Sequence, residues 1–185
     1  AIKAREKSTL SDDNLKDGKY KVNLEILCDE LAKFPLSFSP GTKWEYSMGI
    51  DVIGRVIEIV SGRPLDKFLK ENIFEPAEMD HTSFYFKEKM INRFAECLIH
   101  PDHEQRYNHY LDHPSDYKEE NVKLFLGGSG LLSTISDYFQ FTQIIMNNGT
   151  YLKNRIISSE GIQKLTTNVL TSDIASMGPK HFARM

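Results

Sequence analysis

Apolar residues recur at helical spacing in several stretches of the chain and alternate at strand spacing only briefly. Leu24, Leu27 and Leu31 mark one side of a helix that Asn23 can cap and that ends before Pro35. The strongest stripe follows, with Ile53, Val56, Ile57 and Val60 at i, i+3, i+4 and i+7. Val52 and Ile59 widen it, so this helix is expected to be largely buried. Asp51, Arg55 and Glu58 share its narrow polar side, and Asp51 and Arg55, four apart, are placed to pair. Gly62 supplies the left-handed residue that stops the helix, and Pro64 suits the first position of the next. That second helix is amphipathic through Leu65, Phe68 and Leu69, with Asp66 and Lys70 on its outer side.

Beyond it the pattern is more broken. Thr82 to Phe86 is aromatic and β-branched, the best strand candidate in the chain. Lys87 to Leu98 reads as a helix with Met90, Ile91, Phe94 and Leu98 inward, and from Ile99 to Lys123 all period is lost. Thr134 with Asp137 three residues on predicts a capped helix to Asn147 that buries Ile135, Phe139, Ile144 and Ile145. Asn148-Gly149 stops it, a short strand surrounds Tyr151 and Leu152, and Ser158 caps a last helix to about Thr167. The pattern therefore predicts a polar lead-in over residues 1–21, a helical body over 22–168 and an unpatterned tail over 169–185.

Composition narrows the function classes. At 185 residues, with 40% hydrophobic residues and a net charge of −3, the sequence suits one domain with a real core and has no basic excess for nucleic acid or an anionic membrane surface. No segment approaches the roughly eighteen continuous apolar residues of a membrane-spanning helix. Residues 1–21 are charged and lack the apolar core of a signal peptide, so nothing assigns a compartment. Cys28 and Cys97 stand alone, and Cys28, inside a helical pattern, reads as a buried apolar residue.

Three landmarks occur in order. Trp44-Glu45-Tyr46-Ser47 follows the Pro40-Gly41-Thr42 turn and leads into the strong helix. Phe74-Glu75-Pro76-Ala77-Glu78-Met79 precedes His81-Thr82-Ser83-Phe84, and the run Gly127-Gly128-Ser129-Gly130-Leu131-Leu132-Ser133-Thr134-Ile135-Ser136-Asp137-Tyr138 comes later. Together these resemble the serine β-lactamase-like superfamily of class C β-lactamases, low-molecular-weight penicillin-binding proteins and related esterases and acyltransferases, over most of residues 35–168. The resemblance implies an α+β, β-lactamase/transpeptidase-like fold, of which this chain is the mostly helical subdomain with a few short strands.

In that family a serine in a Ser-x-x-Lys turn forms an acyl-enzyme, a tyrosine from a separate loop completes the proton path, and a Lys-Thr-Gly-type strand lines the other wall. A serine hydroxyl is a poor nucleophile until a neighbouring base takes its proton. A tyrosine, with a reference pKa of about 10, shares that work only where cations favour its phenolate. By resemblance Tyr46 is the candidate catalytic residue; the competing reading is a core tyrosine packed beside Trp44. The family usually reads Tyr-x-Asn, whereas Tyr46-Ser47-Met48 lacks the amide. That departure resembles the esterase and acyltransferase branch and implies a small ester or amide substrate.

Ser115-Asp116-Tyr117-Lys118 is the one Ser-x-x-Lys present, but it follows Tyr46 and lies in a polar loop, so it is rejected as the nucleophile. No Lys-Thr-Gly or His-x-Gly occurs. The expectation is an internal piece of a longer enzyme, inactive alone, whose helical faces expose an apolar patch that favours self-association. The glycines at 127–130 match no P-loop and read as a backbone turn.

A non-catalytic binding or assembly module derived from the same fold is the alternative. A third reading rests on His100, Asp102, His103, His109, Asp112, His113 and Asp116 as metal ligands. No helical HExxH form occurs and Pro101 and Pro114 interrupt the stretch, so a solvated polar loop is preferred, with no metal and no cofactor expected.

Overall fold

The computed structural model describes residues 22–86, 88–95 and 114–170. Helix α1 spans Leu24–Leu31 and begins as its cap predicts, with Asn23 Oδ1 accepting the Ile26 N–H at 2.9 Å. Helix α2, Gly49–Ser61, ends at Gly62, whose φ of +67° is the left-handed stop. Pro64 immediately precedes α3, Leu65–Leu69, so it stands one residue before the position expected of it. The Leu65 N–H then donates to the Glu58 carboxylate at 3.1 Å instead of going unpaired. Helix α3 widens into a π turn over Lys70–Phe74, closed by Glu75 N–H to the Lys70 carbonyl at 2.9 Å.

The later elements are α4, Ile135–Met146; a two-stranded antiparallel hairpin of β1, Thr150–Tyr151, with β2, Asn154–Arg155; and α5, Ser159–Thr166. Thr134 and Ser158 cap the two helices, accepting from Asp137 N–H at 3.1 Å and Gly161 N–H at 3.0 Å. Asn148 and Gly149, with φ of +53° and +91°, turn the chain out of α4. The described elements are thus mainly helical, as expected.

Two apolar clusters hold them. Leu24, Leu27, Leu65 and Phe84 form the first, with Phe84 and Phe125 rings 5.2 Å apart. Phe74, Ala77, Met79 and Ile144 form the second, and Leu69 packs against both.

Several expectations are corrected. Helix α2 is not largely buried: Val52, Ile53, Val56, Ile59 and Val60 are exposed, and its buried residues are Asp51 and Gly54. A Cβ on Gly54 would lie 3.0 Å from Leu65 and 3.2 Å from Leu24, so α2 approaches α1 and α3 through its glycine side. Asp51 does not pair with Arg55, which instead reaches Glu25 at 2.5 Å and Glu58 at 3.2 Å. Thr82–Phe86 forms no strand; Ser83 makes an isolated bridge to Leu132 and Phe86 one to Lys118. The stretch from Lys87 holds a short 3-10 turn, Glu88–Arg93, with Phe94 between Phe86 and Tyr117, while Leu98 lies outside the described residues. In α4, Ile144 is buried as expected, but Ile135 and Phe139 are exposed.

Candidate active site

The loop before α2 presents Tyr46. Gly41, with φ of +82°, and the Thr42 N–H to Ser39 carbonyl bond at 3.2 Å make the reverse turn that aims the chain toward the helix. Met48 occupies the N-cap position of α2 and offers no side-chain cap. Among the described residues Tyr46 is 60% exposed, and Trp44 and Met48 are each 37% exposed.

The glycine run meets this segment directly. Asp51, in the first turn of α2 and 8% exposed, accepts the Gly128 N–H at 2.9 Å. A Cβ on Gly127 would fall 2.3 Å from the Ile50 carbonyl oxygen, so only glycine allows the two backbones to touch. Gly130, with φ of +88°, lies over the Phe84 ring. The run is a backbone turn, as expected, but its docking onto α2 was not legible in the sequence.

A second junction joins the other two landmarks. Asp137, 3% exposed, accepts from His81 N–H, Thr82 Oγ1 and Thr134 Oγ1, each at 2.8 Å. Thr82 and Ser133 hydroxyls lie 2.8 Å apart, and His81 Nδ1 is 3.8 Å from the same carboxylate. A buried carboxylate costs several kcal/mol of lost hydration unless donors replace the water, and these donors do so. Sequence reasoning gave Asp137 only its place in the first turn of a helix; its partners lie 55 and 56 residues away.

Other candidates fall elsewhere. Ser115 and Lys118 lie in and just after a 3-10 turn at Pro114–Tyr117, not at the start of a buried helix. Of the histidine stretch only Asp116 is described; His100, Asp102, His103, His109, Asp112 and His113 lie outside the described residues. Among the described residues no three His, Cys, Asp or Glu converge in a way that would hold a metal ion. A cavity of about 390 Å³ is lined by Lys70, Glu75, His81, Thr82, Phe86 and Met90, and Tyr46 is not in its wall. No described helix is long and apolar enough to cross a membrane.

Known proteins resemble this chain in sequence and in fold. The Beta-lactamase family model matches residues 6–179. Protein Rv1367c of Mycobacterium tuberculosis is 30% identical over 143 residues, covering 77% of this chain and 35% of that protein. The lovastatin esterase of Penicillium rubens is 28% identical over 152 residues, covering 82% and 38%. Simvastatin synthase (LovD) from Aspergillus terreus superposes with a TM-score of 0.60 at 16% identity, covering 90% of this chain and 40% of that one, which is a likeness of fold. The chain thus spans between a third and two fifths of the length of these proteins.

Proposed function

The chain belongs to the beta-lactamase family, and from that premise we propose that it is the helical segment of a serine acyl-enzyme hydrolase of the esterase and acyltransferase kind, with Tyr46 in its proton path. The observation that carries this reading is the place of Tyr46 at the entry to α2, on the segment to which Asp51 clamps the glycine turn. The lovastatin esterase among its relatives supports an ester substrate, as does Met48 where the family usually has asparagine.

In the proposed reaction a serine hydroxyl attacks the acyl carbonyl while a basic neighbour and the tyrosine take its proton. That proton passes to the departing alcohol or amine, and water or a second alcohol then releases the acyl group. The sequence holds one Ser-x-x-Lys, at Ser115 in a 3-10 turn, and no Lys-Thr-Gly, so on this reading the nucleophile and the facing strand lie outside these residues. The 185-residue chain alone is inactive on this reading.

The test is fluorophosphonate labelling of the protein purified from its source, together with its intact mass. A single labelled serine outside these residues, with acylation slowed by Tyr46→Phe, is the expected result. Turnover of an activated ester by the 185-residue chain itself, abolished by Tyr46→Phe, would sink the claim that the nucleophile lies elsewhere.

The exposed stripe of α2 favours a second role. Through Ile53, Val56 and Val60 the chain by itself self-associates, and sedimentation velocity across a concentration series reads this directly.

A further inference from the structure

Asp51 is the third residue of α2, a position where an acid normally turns back toward its own helix terminus or out to solvent. Here it does neither. Its carboxylate is buried and reaches across 77 residues of sequence to the Gly128 N–H at 2.9 Å. The surroundings are built for this contact. A Cβ on Gly127 would collide with the Ile50 carbonyl, one on Gly128 would stand 3.2 Å from Asp51 Oδ1, and one on Gly54 would stand 3.4 Å from Gly127 Cα. Gly127 therefore lets the turn lie directly on the helix backbone, and one carboxylate fixes its register. The far end of the turn is independently held, since Leu132 and Ser83 exchange N–H to carbonyl bonds of 2.8 and 3.1 Å.

The same helical turn directly follows the tyrosine loop. Val52 N–H, next to Asp51, donates to the Met48 carbonyl at 3.1 Å, two residues after Tyr46.

We propose that Asp51 is a positioning residue that locks the Gly127–Gly130 turn to the first turn of α2 and so sets where the Tyr46 phenol stands relative to that turn. The proposal rests on the reading of Tyr46 as the reactive-site tyrosine, but its test does not need turnover. The source protein carrying ¹⁵N and tyrosine ¹³Cζ labels is compared with Asp51→Ala, Asp51→Asn, Gly127→Ala and, as a control destabilised away from the turn, Ile162→Ala. Asp51→Ala is expected to move the Gly128 amide resonance upfield and to speed its hydrogen exchange by roughly tenfold or more, the factor for losing a hydrogen bond to a charged acceptor. It is also expected to move the Tyr46 ¹³Cζ resonance. Asp51→Asn keeps an acceptor and restores both signals, whereas Ile162→Ala leaves Tyr46 unmoved.

If Asp51→Ala does not fold, Gly127→Ala, which retains the carboxylate but drives the turn off the Ile50 carbonyl, must still move Tyr46. An unmoved Tyr46 resonance in every folded variant at Asp51 or Gly127 overturns the proposal and leaves Asp51 a purely structural tie. Undiminished acylation of the source protein carrying Tyr46→Phe would instead overturn the reading of Tyr46, while leaving the coupling between Asp51 and Tyr46 in place.

Discussion

In α1 the residues of the apolar repeat, Leu24 and Leu27, are 2% and 4% exposed, whereas in α2 the same repeat leaves Ile53, Val56 and Val60 at 57%, 50% and 82% exposed. The buried residues of α2 are an aspartate and a glycine. Both helices are amphipathic, yet α1 packs by its apolar side and α2 by a narrow strip that admits the close approach of another backbone. The difference separates two meanings of a hydrophobic stripe. One is the face that packs within the described residues; the other is a face that still needs a cover.

The sharpest way to break this comparison is to truncate one side chain on each kind of surface. Leu65→Ala, removing a residue 1% exposed that packs with Leu24, Leu27 and Phe84, is expected to cost about 2–5 kcal/mol. Ile53→Ala on the open stripe is expected to change stability by no more than about 0.5 kcal/mol. Urea unfolding followed by far-UV circular dichroism measures both. Comparable losses at the two positions would mean that α2 is covered in solution, and the contrast would collapse.

That contrast also shows what could be read from residues alone. Caps and stops are local rules, so Asn23, Thr134, Ser158, Gly62 and Asn148-Gly149 were legible and stand where expected. Periodicity gives the face that favours burial but not whether its cover lies in the same stretch of chain, and the expected burial of α2, Ile135 and Phe139 failed for that reason. Local spacing assigned Asp51 to Arg55, while the partner that buries Asp51 is a backbone amide 77 residues on, which no pattern within a helix can reveal. The one available signal was an acid in the first turn of a helix whose cap residue, Met48, has no hydrogen-bonding side chain. Tyr46 was singled out only through its motif. Its exposure at the helix entry is a property of the fold.

A second prediction sharpens the open side of the comparison. Val60→Lys places a charge on the most exposed apolar residue of α2, and any dimer that buries this stripe is expected to weaken by about tenfold or more, the worth of one buried apolar side chain. Sedimentation velocity reads the shift. An association unchanged by Val60→Lys would place the contact elsewhere, with Ile135 and Phe139 of α4 the next exposed apolar pair to alter.

Smaller effects are expected at the helix starts, where α1 and α4 have side-chain caps and α2 has none. Asn23→Ala removes one bond to the Ile26 N–H and is expected to cost about 1 kcal/mol. Thr134→Ala should cost more than Asn23→Ala, because the same hydroxyl also donates to the buried Asp137 at 2.8 Å. Thermal unfolding of the two variants side by side checks the order. Equal losses would mean that water takes over the Asp137 contact.

The smallest effect separates the covered side of α1 by pH. Burial pushes the Cys28 thiol above its ordinary 9.0, and the nearby Arg55 guanidinium offsets this only in part. The fold therefore holds the neutral thiol more readily than the unfolded chain does. Its contribution to stability is full below pH 9.0 and is lost as pH rises through the raised value, because unfolding then releases a proton. Cys28→Ala should accordingly flatten the alkaline limb of the stability profile while leaving its slope at neutral pH unaltered. Alkylation of Cys28 by iodoacetamide, followed by peptide mass, should run slower than that of a free thiol at the same pH, since the thiolate is the reacting form. A Cys28 that alkylates as fast as free cysteine would show that this side of α1 opens readily to solvent, and would remove the covered half of the comparison with α2.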